Sequence, residues 1–265
     1  MIGVLRFASC MAENTDAFCR ALALHIHDQL GIEVSYVDDR PWQECEELFD
    51  QGKIQVLWIC GLPYIDKMKS ACSRIQLLAV PVFSGPLYGG QPVYFSDVIV
   101  KRESPIEKFA DLRRSVWAYN EPRSHSGYNV VRAHLANLGK NRFFRRVVES
   151  GSHSASLEMV LKGKVDAAAI DSTVLEWAMS QRPQIEKEIR IVASLGPSPI
   201  PPLIISNEVP QGFRLSLRSL LLSMHWDGAG RGVLAQGRIE RFVSAEDRDF
   251  DPIRRMAEAA EQISL

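Results

Sequence analysis

The chain has 265 residues, 46% apolar and 24% charged, with a formal net charge of −1 at pH 7. This is ordinary globular composition, with enough chain for a full core and for two lobes. The balanced charge gives no support to nucleic-acid binding or to an anionic membrane surface, and no apolar run approaches a bilayer span, so no membrane insertion is expected.

The five cysteines (Cys10, Cys19, Cys45, Cys60 and Cys72) are odd in number and form no C-x-x-C pair. Reduced, mostly buried thiols are expected, with no disulfide framework, no metal and no cofactor. The opening Met1–Cys10 has no basic start followed by a separate apolar segment. The expected location is therefore cytoplasmic as the sequence stands, and periplasmic if a leader has been lost from it.

Apolar runs alternate with amphipathic stretches along the first third. Strands are expected at 2–8, 32–37, 54–60 and 75–83, with helices at 15–30, 42–51 and 63–72. Such β-α-β alternation predicts an α/β fold with mainly parallel sheets flanked by helices. Turn residues at 84–92 break the pattern. A second αβ series then starts with a strand at 93–101. Its further strands are predicted near 116–119, 145–149, 167–170 and 190–193, and its helices start near Pro105, Ser126, Ser152 and Ser172. A Pro-rich stretch at 196–202 breaks the pattern again, and helical stretches follow near 213–226, 230–236 and 252–262. The expected organisation is 1–92 as the first part of lobe I and 93–200 as lobe II, which binds the anion. Residues 201–265 would cross back, with C-terminal helices packing mainly on lobe I. Two lobes joined by two such crossings suggest a hinged cleft.

Open α/β sheets carry their ligand sites just outside the carboxyl ends of strands. Four places meet that condition. Ser124-His125-Ser126-Gly127 opens a helix, where unpaired N–H groups and the helix dipole favour an anion. Ser152-His153-Ser154 opens another, Asp171-Ser172-Thr173 a third, and Tyr94-Phe95-Ser96 lies at the crossing into lobe II. Each has a plainer alternative. Ser124, Ser126 and Asp171 are residue types that commonly cap helices, His153 could be bonded locally, and Tyr94 could be packing. Three Ser-rich helix starts in one lobe would nevertheless converge on one point.

These pieces together resemble the substrate-binding proteins of phosphate/phosphonate-type transporters. The strongest runs are Tyr94-Phe95-Ser96-Asp97-Val98-Ile99-Val100, then Asp111-Leu112 before Ser124-His125-Ser126-Gly127-Tyr128, and then His153 with Gly163-Lys164-Val165-Asp166-Ala167-Ala168. The resemblance implies a two-lobed type II periplasmic-binding fold and no enzymatic activity. It also implies an ABC permease as partner and a small oxyanion ligand held by Ser124, His125, Ser126 and Gly127, with Tyr94, Ser96 and His153. A first-lobe tyrosine of the family falls on Trp42 here, and Ser9 and Tyr64 are further candidates from that lobe. Thr173 and Pro201-Pro202 stand where members selecting aminoalkyl phosphonates place carboxylates. An ammonium without a counter-charge is costly to bury, so phosphate, phosphite or a small alkylphosphonate is favoured. Asp171 could accept a proton from such a ligand and thereby reject sulfate.

Two other readings remain open on the residues. Cys10 or Cys60 could act as a nucleophile with His153 as base, although no Gly-x-Ser-x-Gly elbow or metal-ligand spacing supports catalysis. The chain could also be a cytoplasmic sensor on the same scaffold, its last helix (Arg254, Arg255, Glu258, Glu261) being either a solvated face or a docking site.

Overall fold

The structure, a computed structural model, describes residues 3–69 and 74–265. Ile2 and Cys72, both assigned above, lie outside the described residues. The chain forms two units, residues 1–93 with 199–250 and residues 94–198 with 251–265.

In unit 1, short apolar strands are separated by helices that carry the chain back for parallel pairing, as a parallel connection requires. The order is β1 (Val4–Ser9), α1 (Asp16–Leu30), β2 (Glu33–Val37), α2 (Trp42–Asp50), β3 (Val56–Trp58), α3 (Gly61–Met68) and β4 (Ile75–Phe83). Helix α1 ends on Gly31, whose φ of 62° is open to glycine at little cost and lets its N–H reach the His27 carbonyl at 2.9 Å. Strands β2 and β3 pair in parallel with β1. Phe18 packs edge-on against Trp58 at 5.7 Å and lies 6.2 Å from Phe242, so residues far apart in sequence share one core.

Unit 2 begins with β5 (Val93–Lys101) and β6 (Val116–Tyr119). A π-helical turn, His125–Asn129, leads into α4 (Val130–Asn137). Then come β7 (Arg146–Glu149), α5 (His153–Leu161), β8 (Ala167–Asp171), α6 (Ser172–Gln181), the single turn α7 (Ile185–Glu188) and β9 (Ile189–Pro199). The sheet order is β7-β6-β8-β5-β9, with β6 parallel to β7 and β8. Its core holds Val98, Trp117, Val131 and Leu135, and Trp117 stacks on Phe144 at 4.5 Å.

The chain then returns to unit 1 as β10 (Leu203–Ser206), α8 (Gln211–Ser223), α9 (Gly228–Gln236) and β11 (Ile239–Val243). Strands β10 and β11, absent from the sequence reading, pair antiparallel with β3 and β4, giving the order β11-β4-β10-β3-β1-β2. Likewise β5 runs antiparallel to β8. The α/β class holds, and these additions make both sheets mixed. The helix expected near Pro105 is instead one 3-10 turn, Phe109–Leu112.

The last helix, α10 (Asp251–Ala260), belongs to unit 2 rather than to lobe I and packs on α4. Arg132 of α4 explains the attachment. Its Nε donates to the Ile263 carbonyl at 2.7 Å and its Nη2 to the Ala260 carbonyl at 2.6 Å. The second bond satisfies one of the acceptors that a helix end leaves without an internal partner, and the first holds the segment that follows.

Candidate functional site

The topology of unit 2 brings its candidate residues to one sheet edge. Strands β6, β7 and β8 are parallel and neighbouring, or nearly so, and each is followed by a helix start. Because β5 is antiparallel to β8, with Ser96 opposite Asp171, Tyr94-Phe95-Ser96 reaches the same edge from the other direction. The Phe95 N–H donates to Ser172 Oγ at 3.1 Å and ties that strand to the start of α6.

At the first helix start, Ser124 is extended (φ −73°, ψ 130°) and its Oγ accepts from the Gly127 N–H at 3.0 Å. This is the capping role that a serine before a helix takes. Ser126, also buried, turns its hydroxyl to His153 Nε2 at 3.0 Å. The contact joins the helix start after β6 to the one after β7. Ser152 caps the latter, its Oγ accepting from the Ala155 N–H at 3.0 Å.

Gly127 is required by packing. A Cβ placed there would run into Asn120 Oδ1 and lie 3.1 Å from His153 Cε1. Asn120, the residue directly after β6, is buried and its main-chain carbonyl accepts from the Gly151 N–H at 2.8 Å. It therefore sits among Gly127, His153 and the turn between β7 and α5. The strand-exit rule that selected its neighbours also points to Asn120, which the sequence reading passed over.

His125 is fully buried, and both ring nitrogens are engaged. Asn129 Nδ2 donates to Nδ1 at 3.2 Å, so Nε2 carries the proton and donates to Ser198 Oγ at 3.1 Å. Burial lowers this ring to about 3, and it lowers His153 to about 4 against the opposing effect of the Ala169 backbone. Both rings are neutral at pH 7. The His125 ring is thus a buried strut, and what remains of its candidacy is its main-chain N–H.

Asp171 caps α6. Its Oδ1 accepts from the Thr173 N–H at 2.8 Å and from Thr173 Oγ1 at 2.7 Å. Burial raises it to about 6, against those hydrogen bonds and with a further push from the charge of Asp97. Ser96 is buried on β5, and its Oγ has no hydrogen-bond partner among the described residues. Tyr94 is buried beside His125, with ring centroids 6.4 Å apart. The edge thus gathers hydroxyls, amides, the neutral imidazole of His153 and one carboxyl whose hold on a proton burial has strengthened. Such a set suits a partly protonated anion and a neutral hydrogen-bond network.

Unit 1 treats its candidates differently. Tyr64, on α3, is fully buried, lies 4.5 Å from the Phe250 ring and donates its hydroxyl to Asp247 Oδ1 at 2.9 Å. These contacts make it a core tyrosine of unit 1. Ser9 ends β1, where its Oγ accepts from the Met11 N–H at 3.1 Å and meets Thr15 Oγ1 at 3.2 Å. Trp42 opens α2, half-buried, and its carbonyl accepts from Cys10 Sγ at 3.5 Å. Burial, with smaller contributions from Glu46 and neighbouring thiols, pushes the Cys10 thiol well above its ordinary value. Among the described residues no group of three or more His, Cys, Asp or Glu is placed to hold a metal ion, and no helix is long and apolar enough to cross a membrane.

The chain is similar to known binding proteins. The family model described as "ABC transporter, phosphonate, periplasmic substrate-binding protein" matches residues 9–250. The phosphonates-binding periplasmic protein of Escherichia coli (strain K12) is 22% identical over 214 residues; the alignment takes in 78% of this chain and 61% of that protein's length. A binding protein component of an ABC phosphonate transporter from Pseudomonas aeruginosa superposes with a TM-score of 0.85 at 18% identity, covering 97% of this chain and 86% of that one. PhnD1 from Prochlorococcus marinus (MIT 9301), in complex with methylphosphonate, gives 0.80 at 16% identity over 98% and 99%. At these identities the solved structures establish the shared fold.

Proposed function

The chain belongs to the family of periplasmic substrate-binding proteins of phosphonate ABC transporters, and from that premise we propose that the strand-exit edge of unit 2 binds a small phosphorus oxyanion without chemical turnover. Phosphate, phosphite and a small alkylphosphonate are the ligands it suits. The donors would be Ser124, Ser126 and the main-chain N–H group of His125, with that of Gly127 once it leaves its Ser124 cap, joined by Tyr94, Ser96 and His153. The observation that carries this reading is the 3.0 Å contact between Ser126 Oγ and His153 Nε2, which sets two helix starts side by side. Helix N-termini offer unpaired N–H groups to an anion, and neutral donors hold it without a counter-ion.

Asp171 refines the choice of anion. With its carboxyl raised to about 6, it would accept a proton from a monoprotonated phosphate or phosphonate, whereas sulfate has none to give near neutrality. An aminoalkyl phosphonate is disfavoured, because Thr173, at the start of α6 where members selecting such ligands are expected to place a carboxylate, offers its ammonium none. The raised Cys10 thiol argues against a nucleophile there. Membership of a transporter family supports an ABC permease as partner and a periplasmic place of action.

The test is a thermal-shift panel of phosphate, phosphite, methylphosphonate, aminoethylphosphonate and sulfate. A ligand at about 100 times its dissociation constant stabilises the protein by about 2.7 kcal/mol. The first three should raise the melting temperature, and the last two should not. Stabilisation by none of the first three would refute the reading.

A further inference from the structure

A net charge of −1 conceals a strongly asymmetric distribution in unit 2. At the end of the sheet opposite the site, Arg113 and Arg114 precede β6, and the run Lys140-Asn141-Arg142-Phe143-Phe144-Arg145-Arg146 leads into β7 without an acidic residue. Backbone pairing holds these two connections together. The Arg114 N–H donates to the Phe143 carbonyl at 3.0 Å, the Arg145 N–H donates to the Ser115 carbonyl at 2.9 Å, and Arg146 is the register partner of Val116.

Phe143 and Phe144 turn inward to the core, which forces the basic residues outward. All six basic side chains are exposed, and none forms an ion pair or side-chain hydrogen bond with the described residues. Of the acidic residues bordering these connections, Asp166 Oδ2 is occupied by the Val116 N–H at 2.7 Å and Asp111 Oδ2 by the Glu107 and Lys108 N–H groups at 3.1 Å. The C-terminal segment meets the run through the Arg142 N–H, which donates to the Ser264 carbonyl at 3.0 Å. Beside the same run, two residues before Lys140, Leu138 follows α4 as its C-cap with 48% of its surface exposed.

We propose that this face is a docking surface for an anionic phospholipid bilayer, which would hold unit 2 against the membrane surface by its amino-edge connections. The argument is charge complementarity combined with an exposed apolar residue. Six cations without intramolecular partners keep their full field for an external anion, and clustered Lys and Arg beside an apolar side chain match the headgroup layer of an anionic leaflet. An acidic protein surface would use the same charges but has no particular use for an exposed Leu138. The inference is independent of which oxyanion the opposite edge takes.

The test is flotation of the full chain with phosphatidylcholine vesicles and with vesicles in which about half the lipid is phosphatidylglycerol. Each basic residue near an anionic surface strengthens binding by about fivefold. The protein should float with the anionic vesicles at about 0.1 M salt and be released at about 1 M, where the screening length falls from about 10 Å to about 3 Å. The triple variant Lys140→Gln/Arg145→Gln/Arg146→Gln should lose about a hundredfold in affinity while keeping the wild-type circular dichroism and melting temperature. If it fails to keep them, Arg113→Gln alone, expected to lose about fivefold, decides. Equal binding to both vesicle types, no binding to either, or undiminished binding by the folded variant overturns the proposal. Undiminished capture by an acidic protein alone would do the same.

Discussion

Ser126 Oγ lies 3.0 Å from His153 Nε2, joining two helix starts that stand 27 residues apart in the chain. Both groups are buried, and the imidazole is neutral at pH 7. The pair therefore offers a hydroxyl and a ring rather than a charge. On the reading proposed above, both would turn to the oxyanion when it binds.

Replacing Ser126 by Ala removes one hydrogen bond to a charged ligand, a change worth about 1.5–3 kcal/mol. Titration calorimetry with methylphosphonate should show affinity falling by about tenfold to about a hundredfold, with far-ultraviolet circular dichroism unchanged. Affinity equal to that of the wild type would remove Ser126 from the site.

Gly127→Ala tests the close packing. Its Cβ meets Asn120 and approaches His153 Cε1, and overpacking of this kind costs about 1–3 kcal/mol. Urea denaturation should show that loss. The double variant Gly127→Ala/Asn120→Ala should recover part of it, since residues in contact are energetically coupled. Strictly additive losses would contradict the geometry.

Stability should also fall with acid. A histidine whose folded value is depressed takes up protons more readily when unfolded. Its contribution is therefore complete above about 6.5 and is lost as the pH falls towards about 4 for His153 and about 3 for His125. Between pH 6.5 and pH 5 each ring accounts for about 2 kcal/mol. Asp171, raised to about 6, acts in the opposite sense by about 1 kcal/mol over the same range. Denaturant midpoints should thus drop from pH 7 to pH 5, and drop less in His125→Asn. A midpoint independent of pH would show that the rings are not held neutral.

Tyr64→Phe separates structure from binding in unit 1. The variant loses the hydroxyl bond to Asp247 and should be destabilised by about 1 kcal/mol. Its affinity for methylphosphonate should equal that of the wild type. A tenfold loss of affinity in a folded variant would return Tyr64 to the site.

What was legible in the sequence follows from the range of the interactions involved. Ser124 as a cap and the strand-exit placement of Ser126, His153 and Asp171 depend on a few adjacent residues and on alternation, which a sequence displays. The burial of His125 depends on Ser198, 73 residues away, and the burial of Tyr64 on Asp247, 183 residues away. Neither partner has a local signature. Strand β10 has only four residues and follows the Pro-rich stretch, so no alternation can develop, although it lies between β3 and β4. In β11, Glu240 and Arg241 interrupt the apolar pattern. The placement of α10 on α4 rests on Arg132 reaching carbonyls more than a hundred residues away.

The most direct measurement is titration calorimetry of ligand-free protein with methylphosphonate, run beside the double variant Ser126→Ala/His153→Ala. The account predicts saturable one-to-one binding to the native chain, and a loss of at least about a hundredfold in a variant that still unfolds cooperatively. Equal binding by the two proteins would contradict it, as would absence of binding by the native chain.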